Sequence, residues 1–431
     1  MKCTGFAILL FISFTAAAQW SPPLQLLKKQ LQEKHYTDST AGRNPLYAKT
    51  GLNYLQPLYK PLLSLPDDAR KHANLDVAGT AVVFRFAGDH ATAIRLASAY
   101  YDSLPAAAYR DIDRYVDTLR TPDLVPAAGL ILQKAAGGRV VMINESPAYA
   151  QQTAFSLSLL EGLHQLGYRY LAMESLNSRA DRNTQSLDLR TGYQAAEPVT
   201  GELIRKALSL GYVLLPYEDS SQHGGSGRDA IQAATLASLF KHDSAAKILV
   251  IATGAHISET SGSGYTPMAV FFKRFTGIDP LTIDQVEMGE GSAFEYGRYF
   301  YRRWQQKKRN DAAVIASIAG KPLSLLEADQ YDLQVIHPPT TWKNRRPQWL
   351  SFDGKRRMYA VRPTEKNLFL AQAYYLDETK EKNLQVLVPA DQTYIADEDG
   401  YYWLYLFPGK YKLVLRDTRY NLLSEKEIEV K

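Results

Sequence analysis

The sequence predicts an α/β protein whose mainly parallel sheet is flanked by helices, preceded by a helical segment and followed by a small antiparallel β-sandwich domain. Between residues 126 and 290, short apolar runs alternate with longer stretches of helical periodicity, a pattern typical of βαβ units. Beyond about residue 320, apolar and polar residues alternate between turn signals, as they do in antiparallel strands. We therefore expect three regions in the mature chain: residues 19–125, 126–320 and 321–431.

The first 18 residues have the three parts of a secretory signal peptide. Lys2 precedes the apolar run Phe6–Phe14, and small residues follow as far as Ala18. We expect cleavage after Ala18 and export to a periplasmic or extracellular compartment. The single cysteine, Cys3, lies inside this segment, so we expect the mature chain to form no disulfide and to offer no thiolate. No later run approaches about 20 uninterrupted apolar residues, and we expect no transmembrane segment.

The charge balance of the chain argues against a nucleic-acid partner. Fifty basic and 45 acidic residues give a formal net charge of +5, which falls to +4 when Lys2 is removed with the signal peptide. The basic runs are short, and we interpret them as solvated surface: Arg302-Arg303, Lys307-Lys308-Arg309 and Lys355-Arg356-Arg357. The expected partner is therefore a small-molecule or peptide ligand, with no nucleic acid.

The region before the sheet is predicted to be helical. Leu26–Leu31 is amphipathic, and the stretches Leu75–Ala87 and Ala91–Tyr101 are typical of a helical hairpin with its turn at Gly88-Asp89. This hairpin occurs in one convincing copy, whereas a repeat domain needs about three. We therefore expect it to flank or cover the sheet.

The central region is predicted to contain five strands and at least three helices. The predicted strands are Val140–Ile143, Tyr170–Met173, Tyr212–Pro216, Lys247–Ala252 and Leu281–Ile283. The predicted helices are Ala150–Gln165, Glu202–Leu210 and Arg228–Phe240. Alternation of this kind favours a parallel sheet with crossover helices.

Ionisable residues follow four of these strands. Glu145, Glu174 and Glu218 come directly or almost directly after three of them, and His256 comes shortly after the fourth. Side chains beyond the carboxyl ends of parallel strands converge on one crevice, so this pattern predicts a ligand site. The alternative is structural, because an acid at a strand-to-helix junction is stabilised by the helix dipole.

His256 and Arg228 are the candidates for chemistry. His256 follows Gly254, which permits a tight turn, and its imidazole can act as general base or acid; the alternative is an inert, locally bonded histidine. Arg228 begins a helix after the glycine-rich loop Ser220–Gly227, which could close as a lid, and its guanidinium can clamp a carboxylate, phosphate or oxyanion. The loop lacks the phosphate-binding glycine pattern, which argues against a nucleotide. We interpret Asp229 as a first-turn acid that stabilises its helix.

The last region is predicted to be a small β domain behind a proline-rich connector. The predicted strands are Leu384–Val388, Tyr401–Leu406 and Tyr411–Leu415, with a tight turn at Pro408-Gly409-Lys410. The corner around this turn resembles those of transthyretin-like and carboxypeptidase-regulatory-like sandwiches. We assign no chemistry to this domain.

Several strand-end features of the central region occur together in a known group of proteins. The segment Val140–Glu145 ends in Asn-Glu, the segment Gly167–Glu174 ends in Glu, and Arg228 and the triplet Gly254-Ala255-His256 follow. Over about residues 135–290 this pattern resembles the erythromycin-esterase, ChaN-like and TraB/Tiki group of α/β proteins. The resemblance implies a strand-end site that hydrolyses esters, lactones or peptides in some members and binds haem iron in others.

The resemblance places Glu145, Glu174, Arg228 and His256 at matching positions, but the chain departs from the group after Glu145. Where the group has one or more histidines, residues 146–152 contain none. One hypothesis is an exported hydrolase in which His256 activates water, Glu174 or Glu218 orients it and Arg228 stabilises the oxyanion. The other, favoured by the missing histidine, is a non-catalytic protein that binds a ligand, haem or a partner in the same crevice. With one candidate histidine and no thiol we predict no metal site, and the sequence assigns no cofactor or oligomeric state.

Overall fold

The computed structural model describes most of the chain beyond the N-terminus. The described ranges are 20–34, 47–48, 51–64, 77–98, 104–119, 123–174, 176–177, 184, 186–218, 224–292, 294–323 and 329–431. The predicted signal peptide and residues 220–223 of the predicted lid lie outside these ranges.

The described residues before the sheet are mainly helical, as predicted. The elements are α1 (Pro22–Glu33), β1 (Tyr47–Ala48), β2 (Gly51–Leu52), α2 (Gln56–Ser64), α3 (Val77–Phe86), α4 (His90–Ala97) and α5 (Ala106–Thr118). α3 and α4 form the predicted hairpin around Gly88, whose positive φ of 83° suits glycine. The Asp89 carboxylate caps α4 by accepting a hydrogen bond from the Thr92 backbone N–H at 2.9 Å.

The central region alternates strands and helices. The elements are β3 (Asp123–Pro126), α6 (Ala127–Ala135), β4 (Val140–Glu145), α7 (Ala150–Gln165), β5 (Tyr170–Met173), α8 (Pro198–Leu210), β6 (Val213–Pro216), α9 (Gly225–His242), β7 (Ile248–Thr253), α10 (Met268–Thr276), β8 (Leu281–Asp284), α11 (Glu295–Lys307), β9 (Val314–Ile318), β10 (Lys321–Pro322) and β11 (Leu333–Gln334). Within the described ranges, no helix is both long and apolar enough to cross a bilayer.

Six of these strands form one parallel sheet in the order β11-β8-β4-β7-β5-β6. The five strands predicted from the sequence all belong to it, so the predicted fold class is confirmed. Its register places Glu145 beside Thr253 and Met173 beside Ile251, so the carboxyl ends of β4, β5 and β7 lie at one edge. The sixth strand, β11, comes from beyond residue 320.

Helices cover both faces of the sheet. Val141, Ile143 and Ile251 pack with α7 and α8 on one face, whereas Met142 and Val250 pack with α9 and α10 on the other. Successive side chains of a strand point to opposite faces, which produces this division. A residue at a strand end therefore reaches the α7 side or the α9 side according to its position in the alternation.

The C-terminal region is a small β-sandwich behind short connecting elements. It contains β12 (Trp342–Lys343), β13 (Arg346–Pro347), β14 (Arg357–Val361), β15 (Leu370–Tyr375), α12 (Leu376–Glu381), β16 (Asp391–Thr393), β17 (Tyr402–Leu406), β18 (Gly409–Arg416) and β19 (Leu422–Val430). The antiparallel pair β14-β17 packs against the antiparallel sheet β16-β15-β18-β19 through an apolar core.

One prediction for this region is corrected. The stretch Leu384–Val388 is a turn followed by irregular chain, and the Val386 carbonyl accepts a hydrogen bond from the Leu189 N–H of the central region instead of a strand partner. The predicted turn at Pro408-Gly409 joins β17 and β18, which belong to different sheets, so it forms a corner between the two layers.

Candidate functional site

Glu174 follows β5 and is held by its neighbour strand. Its Oε2 accepts hydrogen bonds from the backbone N–H and the hydroxyl of Thr253, both at 2.8 Å. Its Oε1 accepts from Nη2 of Arg228. The side chain is 15% exposed, so this carboxylate lies just inside the edge of the sheet.

Arg228 lies in the first turn of α9 and joins Glu174 to Glu218. Its Nε donates to Glu218 Oε1 at 2.8 Å and its Nη2 donates to Glu218 Oε2 at 2.6 Å. This two-point pairing fixes the plane of the guanidinium. Nη1 lies 3.3 Å from Nε2 of His256 and has no carboxylate partner in the described chain.

His256 reaches this cluster because the chain turns sharply after β7. Gly254 has a positive φ of 53° and begins the single 3₁₀ turn Gly254–Ile257. The imidazole Nδ1 then lies 2.7 Å from Oδ1 of Asp229. A guanidinium can only donate, so Nε2 accepts from Arg228 and the imidazole proton is on Nδ1, which donates it to Asp229.

Asp229 has a larger role than the sequence indicated. We expected it only to stabilise its own helix, but its fully buried carboxylate binds His256 and also accepts from the Tyr265 hydroxyl at 2.5 Å and the Met268 N–H at 3.0 Å. The Tyr265 hydroxyl lies 3.1 Å from the imidazole Nδ1. Three donors therefore hold the Asp229 carboxylate, and the carboxylate fixes the orientation of His256 through its contact with Nδ1.

The charges of the cluster shift the pKa values of its members. Burial disfavours the charged form of His256, but the hydrogen bond and charge of Asp229, with the charge of Glu174, outweigh burial and hold the pKa of His256 above its ordinary value. Burial alone would raise the pKa of Glu174, whereas the charges of His256 and Arg228 and the hydrogen bonds from Thr253 lower it. Burial, together with the bond to Asp229, raises the pKa of Tyr265, which keeps its hydroxyl a donor.

Glu145, which we expected in the same crevice, points to the other face of the sheet. Its side chain lies on the same face of β4 as those of Val141 and Ile143. Its two carboxylate oxygens accept hydrogen bonds from the hydroxyls of Thr153 and Ser156 on α7, both at 2.7 Å. Burial raises the pKa of Glu145. In the described chain its hydrogen bonds lie with α7, so the cluster forms without it.

The segment after Glu145 is also engaged in structure. Ser146 donates its backbone N–H to the Gln152 amide at 2.5 Å, and its hydroxyl accepts from the Ala148 N–H at 3.4 Å. Arg85 donates to the Pro147 carbonyl at 3.0 Å. The residues that stand where the resembling group has histidine therefore form a turn anchored by α3.

Four of the five predicted site residues thus meet. The sequence did not predict the residues that hold them in place by hydrogen bonds. Asp229 adjoins Arg228 in the sequence, and this adjacency was a usable signal, although Asp229 lies beyond the first turn of α9 in which we expected it. Thr253 is the strand-end residue of β7 and was also visible in the pattern. Tyr265 lies in an irregular segment with no periodicity, and no sequence signal marks it.

A large cavity lies away from this cluster. Its volume is about 1930 Å³, and it extends over the outer faces of α7 and α8 toward the β-sandwich. Its walls include Phe155, Arg205, Trp349, Phe352 and Phe407, and none of the strand-end residues lines it. We place the candidate chemistry at the strand ends, because a histidine paired with a buried carboxylate lies there. The ionisable groups Glu202, Arg205 and Glu378 of the cavity wall form ion pairs with one another.

No arrangement that suits a metal ion occurs in the part of the chain that the structure describes. Groups of three or more His, Cys, Asp or Glu side chains with metal-binding geometry are absent from it. In the strand-end cluster, a guanidinium occupies the position between the carboxylates of Glu174 and Glu218.

The fold and the cluster together define an α/β protein with a candidate site at the carboxyl edge of a parallel sheet. Comparison with family models and with curated proteins gives no match. Among solved structures, the type III effector HopBA1 is similar over 51% of this chain and 99% of its own, at 11% identity and a TM-score of 0.32. A structure described as bacterial protein toxins is similar over 47% of this chain and 44% of its own, at 13% identity and a TM-score of 0.27.

Proposed function

We propose that the strand-end cluster hydrolyses an ester, lactone or peptide bond with water as the nucleophile. The observation that carries this proposal is the 2.7 Å contact between His256 Nδ1 and the buried Asp229 carboxylate. This contact leaves Nε2 as the basic nitrogen, and the side chain is 18% exposed. In the proposed reaction a water molecule displaces Arg228 Nη1, which lies 3.3 Å from Nε2.

In the proposed reaction, His256 acts twice. Its Nε2 removes a proton from water while the water oxygen attacks the carbonyl carbon, and the imidazolium that forms is stabilised by Asp229. The tetrahedral intermediate then expels the leaving group as the C–O or C–N bond breaks. The imidazolium returns its proton to that leaving group, which restores the neutral histidine.

Arg228 is the group suited to stabilise the oxyanion. Its Nε and Nη2 are held by Glu218 and Glu174, whereas Nη1 carries two N–H groups and contacts only His256 in the described chain. A carbonyl oxygen beside Nη1 would therefore lie near the base as well. Donors fixed in advance around a developing charge are worth about 10²–10³ in rate.

The resemblance to the erythromycin-esterase, ChaN-like and TraB/Tiki group supports the same proposal, since Glu174, Arg228 and His256 occupy positions that match it. Glu145 also matches by position, but its contacts with α7 leave it outside the proposed chemistry. We further propose that the protein acts after export, because residues 1–18 have the signal-peptide pattern.

A binding protein without catalysis is the second candidate function. It is favoured by the closed ion pairing of the cluster, in which two of the three guanidinium nitrogens of Arg228 are already bound to carboxylates. The missing histidine after Glu145 favours it as well. In this case the crevice would hold a small molecule, haem or a partner without changing it.

A substrate panel decides between the two candidates. Wild-type protein, His256→Asn and the control His242→Asn, which alters an exposed histidine at the end of α9, are tested on esters, lactones and peptides. We expect hydrolysis by wild type and control, and a loss of about 10²–10⁴ in kcat/KM for His256→Asn, the range for removal of a general base. Equal rates for all three proteins, or no turnover of any substrate by wild type, would overturn the hydrolase proposal.

A further inference from the structure

The strand-end cluster has an excess of negative charge. Among the described residues it combines three carboxylates, Glu174, Glu218 and Asp229, with one guanidinium, Arg228. Its formal charge is therefore negative whether His256 is neutral or protonated. A cleft edge with one sign of charge concentrates ligands of the opposite sign.

Gln232 adds an observation that is independent of this charge. It lies one turn after Arg228 on α9, is 1% exposed, and donates through Nε2 to Glu218 Oε1 at 3.3 Å. A carboxylate of an ion pair only accepts, so this contact fixes which end of the amide faces Glu218. The other end, Oε1, is a buried acceptor with no hydrogen-bond partner among the described residues.

An unpaired buried acceptor is unfavourable by about 1–3 kcal/mol, and such groups are few in folded proteins. The amide of Gln232 carries this oxygen directly beside the acidic cluster, because its nitrogen contacts Glu218. The group that would satisfy it is a hydrogen-bond donor, and the surrounding charge selects a cationic donor.

We propose that the strand-end site recognises a ligand that carries a protonated primary amine, which donates to Gln232 Oε1 and to the carboxylate of Glu218. This inference names the substrate class of the proposed hydrolase. It rests on the proposed function only in that the bound amine belongs to a molecule that is cleaved; binding of the amine itself does not require hydrolysis. Glu218 is 32% exposed, compared with 15% for Glu174 and none for Asp229, so the amine approaches past Glu218.

An alkylammonium ion fits this environment better than other donors. It has three N–H groups, which matches two acceptors and leaves one for water. An alcohol offers one donor and no charge, so it gains nothing from the carboxylate excess. The planar guanidinium position of the cluster is already filled by Arg228.

The first experiment measures binding without reaction. The full chain is titrated with n-hexylammonium chloride and with 1-hexanol in a calorimeter, for wild type, Gln232→Leu, Glu218→Gln and the control Gln348→Leu, which alters an exposed glutamine elsewhere. We expect hexylammonium to bind about tenfold or more tightly than hexanol, and each of the two site variants to lose about tenfold, as for one hydrogen bond to a charged group. The control keeps the wild-type affinity.

Equal affinity for the two ligands, or no binding of hexylammonium by wild type, would overturn the inference. Gln232→Leu removes the unpaired acceptor, so its thermal unfolding midpoint is expected to match or exceed that of wild type. Glu218→Gln provides the second variant if Gln232→Leu does not fold.

A second experiment separates this inference from the proposed hydrolysis. Ethyl 6-aminohexanoate and ethyl heptanoate have similar shapes and differ in charge, and we expect wild type to cleave the first with about tenfold higher kcat/KM. Binding of hexylammonium without cleavage of either ester supports the amine site and rejects the hydrolase. Equal cleavage of both esters with no preference for hexylammonium supports the hydrolase and rejects the amine site.

Discussion

At the level of single residues, Asp229 determines what His256 can do. The carboxylate holds the proton of the imidazole on Nδ1 and leaves Nε2 unprotonated, where it accepts from Arg228. Tyr265 and the Met268 N–H in turn hold the carboxylate in place. This arrangement gives the histidine one tautomer and one orientation, which a general base requires.

The first prediction concerns the pH dependence of hydrolysis. The basic form of His256 is neutral, and its pKa is raised above 6.5 by Asp229 against the effect of burial. We therefore expect kcat/KM to rise with pH through a midpoint above 6.5, and Asp229→Asn to move that midpoint to lower pH. pH–rate profiles of the two proteins check this, with His242→Asn as control. An unchanged midpoint in Asp229→Asn would contradict the role of the carboxylate.

The second prediction concerns stability. A group whose pKa is raised by folding stabilises the protein below its unfolded pKa, and this contribution is lost as the pH rises through the folded pKa. For His256 the contribution is fully present below 6.5 and is lost as the pH rises through the folded pKa, which lies above 6.5. Urea unfolding of wild type and His256→Asn at about pH 5.5 and about pH 8.5 measures it. The difference in unfolding free energy is expected to shrink at the higher pH, and a larger difference there would contradict the assignment.

The third prediction separates Glu145 from the site. Thr153 accepts from Arg85 at 2.9 Å and donates to Glu145, so its hydroxyl proton is committed to the carboxylate. In Glu145→Gln, an amide N–H would face one of the two hydroxyl donors. We expect a loss of about 1–3 kcal/mol in unfolding free energy and an unchanged kcat/KM. A large loss of activity in a protein of nearly normal stability would show that Glu145 takes part in the reaction.

At the level of elements, the sheet explains what the sequence could and could not show. Apolar runs ending in ionisable residues were sufficient to predict the edge at which Glu174, Glu218 and His256 meet. They did not show which face of the sheet each side chain reaches, because successive side chains of a strand point to opposite faces. The face therefore depends on the exact residue at which the strand ends. Glu145 lies within β4 in the alternation of Ile143, whereas Glu174 follows β5 on the side of α9. The contact of Tyr265 depends on an irregular segment, which has no periodicity to analyse.

The fourth prediction tests the turn between α3 and α4. Gly88 has a φ of 83°, and a Cβ atom built there would lie 2.0 Å from the Gln392 carbonyl oxygen. Gly88→Ala is therefore expected to cost more than the about 1–2 kcal/mol of the backbone conformation alone. Gly137→Ala is the matched control, since it has no atom within 4 Å and no positive φ. Chemical denaturation compares them, and equal stability would contradict the close approach.

At the level of the whole molecule, the N-terminal and C-terminal regions are joined by buried polar contacts. Arg346 pairs with Asp391 through two hydrogen bonds of 2.6 and 2.8 Å, and it also donates to the Gly88 carbonyl at 2.8 Å. Both side chains of the pair are almost fully buried. The connector, the β-sandwich and the N-terminal hairpin therefore meet at one guanidinium.

The fifth prediction concerns this contact. Arg346→Met leaves the Asp391 charge buried without its partner, which is expected to cost about 3–5 kcal/mol of unfolding free energy. Lys380→Met is the control, because Lys380 pairs with Asp377 at an exposed position where ion pairs contribute little. Urea denaturation measures both variants. A small effect of Arg346→Met would show that water reaches the pair.

The same junction also constrains the order in which the molecule is completed during synthesis. The Phe86 carbonyl accepts from Gln392, the Gly88 carbonyl from Arg346 and the Asp89 carboxylate from Tyr394, across separations of 306, 258 and 305 residues. A ribosome makes the hairpin long before it makes these donors. The hairpin therefore leaves the ribosome before the donors of its three acceptors exist, and this early part of the fold is completed only after β13 and β16 have been made.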